Sequence, residues 1–129
     1  MDNNYDVNNI TRISSGSYHR GDFYSDSDIR LDGRFEGNLF SEARVIIGEK
    51  AVVIGQIVCA SADIQGLVKG QVFAKDTLSF SSGSKVEGDA HFARFKAEIG
   101  AQFTGACYRI TDEEYEEKLK EIHREESLF

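Results

Sequence analysis

Apolar and polar residues alternate along most of the chain. From Ile29 the beat is strict: Ile29, Leu31, Gly33, Phe35, Gly37 and Leu39, then Ala43, Val45 and Ile47, then Ala51, Val53, Gly55, Ile57 and Cys59. Alternation of this kind is the period of a half-buried β-strand. The apolar set then moves to even positions, at Ala62, Ile64, Gly66, Val68, Gly70, Val72, Ala74, Leu78 and Phe80, and stays even through Val86, Gly88, Ala90 and Phe92. It is odd again at Ala97, Ile99, Phe103, Gly105 and Cys107. A slip of one residue turns every side chain of a strand to the other face. Each change of parity therefore marks a corner that gains or loses a residue.

A second pattern is superposed on the first. FEGNL (Phe35–Leu39), VIGQI (Val53–Ile57), VKGQV (from Val68), VEGDA (from Val86) and FTGAC (Phe103–Cys107) each place a glycine between flanking small or apolar residues. The central glycines Gly37, Gly55, Gly70, Gly88 and Gly105 recur at spacings of 18, 15, 18 and 17. A looser series, Gly48, Gly66, Gly83 and Gly100, interleaves with them at 18, 17 and 17. Self-similarity at a period near 17 is the signature of a repeat architecture. Hairpin proteins announce their turns with Asn-Gly or proline-containing pairs. This chain has no proline and no Asn-Gly pair, and Asp32-Gly33 lies within the alternation.

Gentle, repetitive turns fit a coil of short parallel strands in which each turn stacks on the one before. The pattern predicts an all-β fold: a single-stranded β-helix, or β-solenoid, of about five to six short rungs. In such a coil the glycine column is a corner, where Gly37, Gly55, Gly70, Gly88 and Gly105 reach backbone angles closed to other residues. Phe35, Val53, Val68, Val86 and Phe103 form the apolar ladder beside it.

The ends have a different texture. Residues 1–22, rich in Asn, Ser, Asp, Gly and Tyr, predict a disordered arm. Residues 23–110 are the coil. From Thr111 the sequence becomes TDEEYEEKLKEIHREESLF, with a capping-box pair at Thr111 and Glu114 and apolar residues at Tyr115, Leu119 and Ile122. That predicts a short amphipathic helix within an acidic tail, 111–129, acid-rich in the turn that favours the helix dipole.

Composition narrows the function classes. The net charge is −7, and five of those negative charges fall in the last nineteen residues. The coil is nearly neutral and has no basic cluster, so nothing points to nucleic acid. No apolar run approaches the ~20 residues that span a bilayer, and MDNNYDVNNI lacks the features of a secretory signal. The expected location is cytoplasmic. Cys59 and Cys107 are expected as small buried core residues, without disulfide or metal.

Catalytic patterns are missing. His19, His91 and His123 are scattered over arm, coil and tail, and no HxxxH, CxxC, nucleophile elbow or phosphate loop occurs. His91 falls on an outward phase beside Asp89 and is expected to face solvent. No cofactor and no metal are expected, and no catalytic residue is assigned. One enzymatic alternative remains open, a trimeric left-handed coil of the acyltransferase or zinc-hydratase type. It needs a six-residue beat, whereas the glycine intervals are 11 and 7, 11 and 4, 13 and 5, and 12 and 5. A monomeric solenoid adaptor is a further alternative.

The ordered series DIRLDGRFEGNL, VIIGEKAVVIGQI, ADIQGLVKGQV and IGAQFTGAC, over residues 28 to about 108, resembles the bactofilins, polymer-forming bacterial cytoskeletal proteins. The resemblance implies a right-handed, roughly triangular β-helix with unstructured ends. It implies filaments formed without nucleotide or metal, and a scaffolding role in cell shape or polar organisation. It also implies partners among cell-wall enzymes or membrane-associated factors. The chain departs from the family in two respects: MDNNYDV is too polar for the family's membrane-targeting peptide, and its tail reads as helical.

Elementary physics points the same way. A solenoid ends in unpaired strand edges and an exposed slice of core, which natural solenoids block with polar caps. Here Ile29, Leu31 and Phe35 are expected at the N-terminal end, and Phe103, Cys107 and Ile110 at the C-terminal end. Both ends are apolar, and stacking them would bury the slices and continue the ladder. The expected partner is therefore another copy of the chain.

Overall fold

The computed structural model describes residues 10–125, with side chains to Glu121. Ten strands precede one helix: β1 Thr11–Ile13, β2 Tyr18–Ser25, β3 Ile29–Leu31, β4 Arg34–Ser41, β5 Arg44–Ile47, β6 Val52–Cys59, β7 Ser61–Ile64, β8 Leu67–Phe80, β9 Lys85–Ala97, β10 Gln102–Arg109 and α1 Asp112–Glu125. Every strand pairing is parallel. One ladder runs β1, β3, β5, β7 and then the later parts of β8 and β9. The other runs β2, β4, β6, β8, β9, β10. The chain is a β-solenoid of six rungs, each contributing to both ladders.

The register accounts for the irregular period and for the parity changes. Ile29, Val45, Ala62, Leu78 and Phe95 stack on Thr11 in one column. The corner leading into this column takes four residues from Ser41 to Val45 and from Ala74 to Leu78. It takes three from Cys59 to Ala62 and from Phe92 to Phe95. An odd step inverts the phase, so the apolar set becomes even after Cys59 and odd after Phe92. The shorter corner also produces the irregularity in pairing between Ala74 and Thr77 of β8.

The second ladder turns on a column of stacked glycines, Gly21, Gly37, Gly55, Gly70, Gly88 and Gly105. At Gly70 φ is +138°, a region closed to residues with a side chain. A Cβ there would lie inside van der Waals distance of the Gly55 carbonyl one rung back. The obstruction is therefore the backbone of the neighbouring rung rather than the crowding of the core.

Each ladder strand sends alternate side chains inward. Ile29, Leu31, Phe35, Leu39, Val45, Ile47, Val53, Ile57, Ile64, Val68, Val72, Leu78 and Val86 are fully buried in one continuous core. Burying a side chain of this size stabilises the fold by about 1.5–3 kcal/mol. The aliphatic alternation of the sequence is the cause of the coil, since a parallel strand can hide one face only by stacking it on the next rung.

One boundary differs from expectation. Residues 11–22, expected within a disordered arm, contain β1 and most of β2 and form an additional first rung. That rung was illegible because His19 occupies the apolar slot before Gly21, where the other rungs carry Phe or Val; its ring stacks on Phe35 at 5.2 Å. Residues 1–9 of the expected arm lie outside the described residues. At the other end α1 spans 14 residues. Its capping box is formed: the Glu114 amide donates to Thr111 Oγ1 at 3.1 Å, and the Thr111 amide donates to Glu114 Oε1 at 2.9 Å.

Helix α1 lies on the outside of the coil. Tyr115 and Ile110 are buried against Phe40, Val58 and Phe73, with Leu119 packed beside them. The Lys118 ammonium sits 4.5 Å from the Phe73 ring centroid, a cation–π contact. Phe40, Val58 and Phe73 share one outward column, three residues after the glycines.

Candidate assembly surfaces

Among the described residues, the end rungs each have a neighbour on one side only. β1 pairs with β3 and β2 with β4 at the N-terminal end; β10 and the last part of β9 close the C-terminal end. Backbone donors and acceptors on the open sides are templates for another strand.

The C-terminal end is an aromatic plate. Phe103 stacks on Phe80 at 5.8 Å, and Phe95 meets Phe80 edge-on at 5.3 Å and Phe92 at 5.1 Å. Phe95 is 48% exposed, and Ile99, in the turn before β10, is 99% exposed. Ile99 was expected to point inward; it lies beyond the paired residues of β9 and has no next rung to enter. Phe103 is half-buried, while Cys107 is exposed because its column, Leu39, Ile57, Val72 and Ala90, ends with it. The expectation of two buried cysteines thus holds for Cys59 alone. Ile110, whose amide continues the pairing of the last rung, is buried with Tyr115 under α1.

The N-terminal end is more polar. Ile29, Leu31 and Phe35, expected on its surface, are fully buried one rung inside, because β1 and β2 cover them. The outermost layer consists of Ile13, His19 and Phe23, all half-buried, with Tyr18 54% exposed at the rim. These residues were missed in the sequence because the first rung lacks the apolar residue that marks the others.

Helix α1 and the column beneath it were also missed as a unit. Tyr24, Phe40, Val58, Phe73, His91 and Tyr108 stack in register, each three residues after a column glycine. That constant offset is the sequence signal. His91, expected to face solvent, is sandwiched between Phe73 at 4.4 Å and Tyr108 at 4.8 Å. Burial lowers its pKa against the opposing pull of Asp89 and Glu114. Burial pushes the Cys59 thiol and the Tyr115 phenol upward. The carboxyl of Glu114 is held low by its hydrogen bonds with Thr111.

An open cleft of about 410 Å3 is lined by Arg12, Arg30, Lys50, Asp32, Glu49 and neighbouring polar groups. Its charges largely neutralise one another, and Arg30 is held by Asp32 through two hydrogen bonds of 2.9 and 3.2 Å. Nothing there pairs a nucleophile with a base.

The chain matches the model of the bactofilin family, described as polymer-forming cytoskeletal, over residues 11–108. It is 26% identical over 95 residues to Bactofilin BacO of Myxococcus xanthus (strain DK1622), covering 74% of this chain and 75% of that protein. No solved structure gave a significant match. The family match begins at the first residue of β1 and ends within β10, so it coincides with the six-rung coil and excludes α1.

Proposed function

The chain belongs to the bactofilin family, and from that premise we propose that it is a non-enzymatic scaffold that polymerises end to end, without nucleotide, beneath the cell envelope. The observation that carries this reading is the C-terminal end. It combines two open strand edges with the half-buried ring of Phe103 and the exposed Phe95, Ile99 and Cys107. Joining two such ends removes apolar surface from water and pairs the free backbone groups at once. The N-terminal end, with Ile13, His19 and Phe23, supplies the second junction. Ends that meet like to like are two-fold symmetric and give a filament without polarity. The scaffold serves cell shape or polar organisation, in the cytoplasm or at the inner face of the membrane. The tails recruit cell-wall enzymes or membrane-associated proteins.

The column glycines hold the rungs in register, and Phe103 is the central residue of the C-terminal junction. In Phe103→Arg an unpaired charge would enter that junction, at a desolvation cost the contact cannot meet. The variant is expected to remain a small species by light scattering at concentrations where the parent chain assembles. Cys107 gives an independent readout: its thiol is expected to react with a maleimide in the variant and to be protected in the assembled parent chain. A folded Phe103→Arg protein that assembles normally with Cys107 still reactive would place the junction elsewhere.

A further inference from the structure

One inward column of the coil changes chemistry at its end. Phe35, Val53, Val68, Val86 and Phe103 stack in register, and His19 takes the same slot on the first rung. The imidazole lies flat on Phe35, with ring planes 14° apart, and meets Phe23 edge-on at 5.9 Å. Its other face looks along the coil axis to the open end, where none of the described residues pairs with β2. The charged groups on the strands around it hold outward positions: Arg12 on β1, Arg20 and Asp22 on β2, Arg30 on β3, and Arg34 and Glu36 on β4. Among the described residues the buried polar side chains are Ser41 and Ser84, so no carboxylate shares the interior with the ring.

We infer that His19 makes the N-terminal end a joint that a second copy enters only while the imidazole is neutral. Histidine is the side chain that gains or loses its charge between pH 5 and 8. When neutral, the ring continues the apolar column, and the first rung of another copy can cover it. When protonated, it keeps water on its open face and rests the other on Phe35. Closing the joint would then bury a charge with no partner. A polar end is what stops a natural solenoid from growing; here a proton supplies it. The inference rests on end-to-end assembly.

The two ends therefore answer acid differently. The C-terminal end presents Phe92, Phe95, Ile99, Phe103 and Cys107 and no histidine. When ends meet like to like, the two kinds of junction alternate along the filament. Each N-terminal junction buries two His19 rings and each C-terminal junction buries none. Every ring that must shed a proton adds one power of ten per pH unit to the association constant. The N-terminal junction should therefore weaken by about a hundredfold per pH unit once the free ends are protonated. Acid then opens every second junction and leaves dimers joined by their C-terminal ends.

The test is electron microscopy with light scattering on the full chain at about pH 8 and about pH 5.5, with circular dichroism to confirm the coil in each sample. The parent chain should form filaments at the higher pH and dimers at the lower. His19→Phe restores the apolar column and should form filaments at both. His19→Arg carries a charge that no pH in this range removes, and should stop at dimers at both. His91→Phe leaves the ends unchanged and should behave as the parent does. Parent filaments that persist in acid, or His19→Phe filaments that dissolve in acid as the parent's do, would overturn the inference and leave end-to-end assembly intact. Filaments of His91→Phe that resist acid would move the effect to His91 and overturn it too. Parent monomers in acid would mean that every junction contains a His19, as in a head-to-tail filament, and would overturn its assignment to one junction of two. Absence of parent filaments at the higher pH would overturn end-to-end assembly itself.

Discussion

At the residue scale the fold depends on what each position lacks as much as on what it carries. Gly70→Ala would force a left-handed φ on alanine and drive its Cβ into the Gly55 backbone. Strain of this kind costs about 1–3 kcal/mol before any clash is counted, and the rungs must separate to relieve it. Gly83→Ala is the matched control: nothing lies nearer than 4.0 Å to the added methyl. Thermal unfolding should show a large loss for the first and little change for the second. In the core, Leu78→Ala should cost about 2–5 kcal/mol, because Leu78 is fully buried with a rung above and below. His91 gives a pH dependence of known sign. Burial depresses its folded pKa below the ordinary 6.5, so the unfolded chain binds the proton more readily. The stability it contributes is complete above about pH 6.5 and is lost as pH falls below that value. Melting temperature should decline from pH 7 to pH 5, and His91→Phe should flatten that decline. An equal decline in the variant would exclude His91 as its source. Alternation identified nearly every buried aliphatic residue, because inward and outward positions have opposite solvation. It could not identify His91, whose outward ring is stacked between Phe73 and Tyr108 of the neighbouring rungs.

At the scale of elements the coil was more legible than its boundaries. Strand stacking repeats the same apolar and glycine positions, so five rungs announce one another. The sixth, β1 with β2, carries histidine where the others carry Phe or Val, and it reads as part of a polar arm. Helix α1 was legible from its capping box and acidic first turn, which are local features. Its docking was not, since that depends on Phe40, Val58 and Phe73 coming together from three rungs. Two changes separate formation from docking. Thr111→Ala removes the cap and should cost about 1 kcal/mol. Tyr115→Ala removes the most deeply buried side chain among the described residues of α1 and should release the helix from the coil. Circular dichroism should show helical signal lost and β signal retained, with faster amide exchange confined to α1. Unchanged exchange in Tyr115→Ala would mean that the helix is held by other contacts.

At the scale of the molecule, the asymmetry between ends matters most. The rod is about 24 Å from first to last rung, and its two ends differ in chemistry. One is an aromatic plate of Phe92, Phe95 and Phe103; the other mixes Ile13 and Phe23 with His19 and Tyr18. The sequence indicated that both ends are apolar, but it set the N-terminal surface one rung too far in. Ile29, Leu31 and Phe35 are the strongest apolar cluster there, and they are strong because they are core. The C-terminal junction should therefore be the tighter of the two, and weakening it should shorten filaments more than changing Ile13. Negative-stain electron microscopy of the purified chain, at physiological salt with EDTA and no nucleotide, tests the central claim most directly. The account predicts thin unbranched filaments from the parent chain and discrete particles from Phe103→Arg. Discrete particles from the parent chain itself, confirmed as a small species by light scattering at every concentration, would contradict it.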